Sequence, residues 1–75
     1  MPAKSRKYRL FLERLRQARL DSGLTQAQAG KLIRRDQTFI SKCESGERRV
    51  DFIELRELAK IYNKPLEFFA EGLDD

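Results

Sequence analysis

With 75 residues, 40% of them hydrophobic and 37% charged, the chain suits one small globular domain and is too short for two. It holds no apolar run long enough to span a bilayer, and no signal-peptide pattern opens it. Cys43 is the single cysteine, so no internal disulfide can form, which fits a reducing, cytoplasmic setting. There is no histidine, so a zinc site or a nucleophile–base pair has almost nothing to draw on; neither an enzyme, a metal protein nor a cofactor carrier is expected.

The net charge of +4 is unevenly spread. Residues 1–19 carry seven basic groups against Glu13, residues 20–49 six basic against four acidic, and residues 50–75 three basic against seven acidic. One end is positive and the other negative, an asymmetry that suits docking on a polyanion through one face.

In chain order, residues 1–6 read as a frayed basic tail. Tyr8, Phe11, Leu15 and Ala18 then fall at helical spacing over residues 7–22, and Gly23 stops the helix as a left-handed cap. Thr25 opens a second helix, residues 26–33, with Ala29, Gly30 and Ile33 as its small or apolar positions. Asp36 opens a third, residues 37–45, with Ile40 and Cys43 inward and Gly46 at its end. Two short helices so close in sequence must cross steeply, which is helix-turn-helix geometry with the second helix offered to a DNA major groove. Phe39 lies beside the exposed face of that helix; touching a thymine methyl and packing under the helix start are equally open to it.

Asp51 and Glu54 then form a capping box, and Val50 with Leu55 a hydrophobic staple, so a fourth helix starts there. Phe52, Leu55, Leu58, Ala59 and Tyr62 are its expected inner face. Asn63 is a plausible left-handed stop, and Pro65 fits the first position of a fifth helix, residues 65–70. Residues 72–75 form a tail, leaving residues 7–71 as one all-α domain of five helices. Leu66, Phe68 and Phe69 are more apolar surface than so short a helix can hide, so a homodimer contact is expected there.

Arg19, Gly23-Leu24-Thr25-Gln26, Ile40-Ser41-Lys42, Glu44, Gly46 and Arg48 together resemble the helix-turn-helix family of Cro, the lambda-type repressors and the XRE-type regulators, over about residues 9–71. The resemblance implies a sequence-specific transcriptional regulator that binds a double-stranded DNA operator as a homodimer, on half-sites about 34 Å apart. It implies base reading by Gln37, Thr38, Ser41 and Lys42, whose side chains can meet base edges. Gln26 at a helix start, and Arg48 and Arg49 after the recognition helix, would hold phosphates. Arg35, Lys4, Arg6, Lys7 and Arg9 could add charge toward the backbone. Arg19 and Glu44 match a buried structural ion pair, and Cys43 stands where a bulkier aliphatic residue is usual.

The turn departs from the pattern, with Arg34 at the usual glycine and Arg35 at the usual apolar residue. Three accounts follow: a tolerated left-handed Arg34 with the Arg35 stem across apolar surface, a turn of different length, or added charge toward DNA. The first is preferred. A phage-type repressor, a restriction–modification controller and a DNA-binding antitoxin all fit the size. The rival class is a protein-interaction module of the same fold, which would lack a steep salt dependence on DNA.

Overall fold

The computed structural model describes residues 5–73 as five helices: α1 (Arg6–Asp21), α2 (Gln26–Leu32), α3 (Gln37–Ser45), α4 (Phe52–Ile61) and α5 (Leu66–Ala70). Among the described residues there is no strand, so the expected all-α, five-helix arrangement forms. Lys4, an expected backbone contact, and the last two residues of the expected tail lie outside the described range. Ser5, assigned to the tail from sequence, instead caps α1: its side chain accepts the Tyr8 N–H at 3.0 Å.

Local hydrogen bonds explain where the helices start. Thr25 Oγ1 accepts the Gln28 N–H at 3.0 Å while Gln28 returns the bond to the Thr25 N–H at 2.9 Å, a complete capping box at α2. Asp36 accepts the Phe39 N–H at α3, and Asp51 and Glu54 form a second full box at α4. Pro65 is the residue before α5 and not its first member.

The ends follow one rule as well. Gly23 (φ 76°), Arg34 (φ 59°) and Asn63 (φ 56°) are left-handed, and the next residue's N–H reaches back to Arg19, Gly30 and Ala59 carbonyls at α1, α2 and α4. Arg34 is the costly member, since a side chain there is strained by on the order of 1 kcal/mol. Its compensation is nearby. The Arg35 N–H bonds the Gly30 carbonyl at 2.7 Å, and α2 meets the start of α3 so closely that a Cβ on Gly30 would run into the Asp36 carbonyl. Sequence marked Gly30 only as a small inward residue; it is the contact point of the helix-turn-helix corner.

Leu15, Ile40, Cys43, Leu58 and Phe69 are the largest fully buried side chains, so α1, α3, α4 and α5 each drive a residue into one core, which Ala29 of α2 joins. Two expectations fail here. Phe52 is 60% exposed: helical side chains tilt toward the N-terminus, so the first residue of α4 projects past the edge of the core. Phe69 is only 1% exposed, and has no surface left for a dimer contact. Phe68 packs edge-on to Phe69 at 5.4 Å, lies under Lys64 Nζ at 4.5 Å and stays partly exposed.

Gly30→Ala should lower the unfolding free energy by about 1–3 kcal/mol, the usual cost of overpacking, as read from the urea midpoint. A midpoint equal to that of the parent would mean the corner relaxes freely.

Candidate nucleic-acid interface

At about 100° per residue, α3 divides into two arcs. Phe39, Ile40 and Cys43 face the core, while Gln37, Thr38, Ser41 and Lys42 are exposed together on the opposite side. Grooves flank this ridge. One, of about 720 Å³, runs from the start of α2 at Thr25 and Gln26 to Gln37. The other, of about 520 Å³, lies between the turn at Arg34 and Arg35, Thr38, Lys42 and Arg48. Lys42 Nζ lies 3.9 Å from Glu47, a loose contact on the exposed side. All four expected base-reading residues therefore share one projecting surface.

Behind the ridge sits a polar clamp. Arg19 Nε donates to Glu44 Oε2 at 2.7 Å and Nη2 to Oε1 at 3.1 Å, while Nη1 donates to the Leu24 carbonyl at 3.0 Å. The two side chains are only 9% and 8% exposed, so the pair is the buried one expected. Hydrogen bonding to Glu44 raises the Arg19 pKa, against the opposing effect of burial. Burial likewise holds the Tyr62 hydroxyl protonated well above its ordinary range, and the Glu44 charge adds to it. Gln26 joins the clamp by donating an amide N–H to Glu44 Oε1 at 3.1 Å. Such an amide has a second N–H to offer to another acceptor.

Beside the ridge lies a second cluster. Phe39 is buried beneath two guanidinium groups, Arg35 at 4.0 Å and Arg48 at 4.8 Å from its ring centroid. Of the two roles open to Phe39, packing under the helix start is the one observed. Arg34 is left-handed, as in the preferred account of the turn, but it is the guanidinium of Arg35 and not its stem that lies across an aromatic face. Arg48 is gripped by Glu54 through two bonds of 2.7 and 2.6 Å. Those bonds hold the Glu54 carboxyl below its ordinary pKa and push the Arg48 guanidinium higher. Arg49 instead stacks on Tyr8 at 4.5 Å, and the Tyr8 hydroxyl accepts the Val50 N–H at 3.3 Å.

Sequence missed the second job of Glu54. Its capping role is visible at a spacing of three residues, but its grip on Arg48 depends on how the loop after α3 folds back. Arg6, Lys7 and Arg9 lie on the exposed side of α1. Cys43 is a buried thiol whose pKa is raised chiefly by desolvation, which suits a small core residue and opposes thiolate chemistry. Among the described residues no group of acidic or thiol side chains could hold a metal ion, and no helix is long and apolar enough to cross a membrane.

A family profile described as a helix-turn-helix domain matches residues 10–67, a span that includes the clamp, the ridge and the Glu54 cluster. No individual curated protein matches the chain.

Glu44→Ala should destabilise the fold by about 3–5 kcal/mol, because Arg19 would be left buried without its partner. The double replacement Arg19→Met with Glu44→Leu should lose far less. Denaturant titration of both proteins checks this, and equal losses would show that the pair is not desolvated as a unit.

Proposed function

The chain belongs to the helix-turn-helix domain family, and from that premise we propose that it is a transcriptional regulator that binds a double-stranded, pseudo-palindromic DNA operator as a homodimer. The observation that carries this reading is the exposed polar arc of α3, held from behind by the desolvated Arg19–Glu44 pair. A major groove admits a helix, and such an arc fits its chemistry. Gln37 can pair bidentately with adenine. Thr38 offers a methyl and a hydroxyl, Ser41 a hydroxyl, and Lys42 a cation for guanine acceptors or a phosphate.

Phosphates would flank this contact. Gln26 stands at the start of α2, already oriented by Glu44, and Arg35 and Arg49 stand exposed on either side of the loop system around α3. These contacts supply affinity and register without reading bases.

One domain reaches too few base pairs for strong discrimination, and two copies on half-sites about 34 Å apart multiply it. Leu66 and Phe68 remain partly exposed on α5 and supply the proposed dimer contact without Phe69. A module that binds only proteins would have no use for a salt-sensitive DNA interaction, so the salt dependence separates the two classes.

Selection from a random duplex pool should enrich a two-fold symmetric sequence, and an unenriched pool would end this reading. Against the selected site, Gln37→Ala should cost roughly 1–3 kcal/mol and relax preference at one base pair. Equal affinity for every site variant would remove Gln37 from base reading. Phe68→Glu should shift sedimentation from dimer to monomer, and an unchanged dimer would place the interface elsewhere.

A further inference from the structure

We propose, resting on the DNA-binding reading above, that Glu54 is a positioning residue of the interface: it holds the fork of Arg48 and guides Arg35, so that Arg35 and not Arg48 holds a phosphate beside α3.

A carboxylate beside a DNA-binding ridge repels phosphate unless its charge is matched internally. Glu54 is so matched. Its side chain is 13% exposed. Its Oε1 accepts from Arg48 Nη1 at 2.7 Å and from the Asp51 N–H at 3.1 Å; its Oε2 accepts from Arg48 Nη2 at 2.6 Å. Arg48 Nη1 donates in addition to the Arg49 carbonyl at 3.0 Å. The fork of Arg48 is thus engaged on its carboxylate side, and one face of it covers Phe39. The Arg48 side chain is 38% exposed, but to turn its fork to a phosphate it would have to leave Glu54 as a largely buried, uncompensated charge, which is the expensive way to break such a pair.

Arg35 is placed differently. Its Nη1 lies 4.0 Å from Glu54 Oε2, beyond hydrogen-bonding distance, and its side chain is 46% exposed. Its guanidinium sits over Phe39 at 4.0 Å, and the residue lines the groove shared with Thr38, Lys42 and Arg48. An arginine already held in one orientation loses less freedom when it binds. With the fork of Arg48 taken up by Glu54, Arg35 alone of the two arginines should contact a phosphate here.

The test compares the parent with Arg35→Gln, Arg48→Gln and Glu54→Gln on the selected duplex and on a scrambled one, across a salt series. Each phosphate contact contributes about 0.9 to the slope of log affinity against log salt. Arg35→Gln should flatten the slope by about that amount. Arg48→Gln should weaken binding and leave the slope as it was. Glu54→Gln retains an oxygen acceptor for the Asp51 N–H and releases Arg48. Its slope should steepen by about 0.9, while discrimination between the two duplexes falls severalfold.

A merely structural Glu54 would lower the melting temperature without steepening the slope, and that outcome overturns the proposal. So does a flattening by Arg48→Gln equal to that by Arg35→Gln, a comparison that decides the matter even if Glu54→Gln does not fold. A parent with no salt-sensitive DNA binding would overturn the functional reading itself, and this one with it.

Discussion

The buried contact between Arg19 and Glu44 is the constraint on which the presentation of α3 depends. It joins the end of α1 to the end of α3 and, through the Leu24 carbonyl and the Gln26 amide, ties both to the start of α2. Three helices are thereby referred to one carboxylate. An apolar contact in the same place would hold them together, but it would not set the rotation of α3 about its own axis. Hydrogen bonds with fixed directions do, and this rotation decides which residues reach a groove. The desolvation cost of the pair is offset because Glu44 accepts from two residues and Arg19 donates to two acceptors.

The second polar cluster solves a different problem. The turn between α2 and α3 carries two arginines where a glycine and an apolar residue would be easier. Arg34 accepts a left-handed backbone, and Arg35 covers the Phe39 ring with its guanidinium. Arg48 covers the same ring from the loop after α3, and Glu54 draws the arginines toward the first turn of α4. The corner before α3 and the loop after it are therefore stabilised by one aromatic ring and one carboxylate. Both ends of α3 are held, while its outer arc remains free of such partners apart from the loose Lys42–Glu47 contact.

The distribution of charge along the chain takes on a spatial meaning only with these pairings. Three basic residues near α3 look equivalent in composition, yet Arg48 is matched by a carboxylate, Arg35 is loosely attended and Arg49 rests on a tyrosine ring. Their capacity to neutralise a polyanion differs accordingly. Formal charge overstates the electrostatic footprint wherever an acid is built into the basic face.

Element boundaries were legible in the sequence because caps are local. Thr25, Asp36 and Asp51 bond residues three positions on, and Gly23, Gly46 and Asn63 adopt backbone conformations that their own chemistry favours, so each signal sits within one turn of the feature it makes. The exposed arc of α3 was legible for a similar reason, since helical periodicity sorts its residues without reference to the rest of the chain. Tertiary structure alone decided the fates of Phe39, Phe52 and Phe69, which are identical in type and differ only in where the core ends. It decided too that Gln26 orients on Glu44 and that Arg48 belongs to Glu54. Burial and ion pairing depend on distances between segments remote in sequence, and no local pattern encodes those distances.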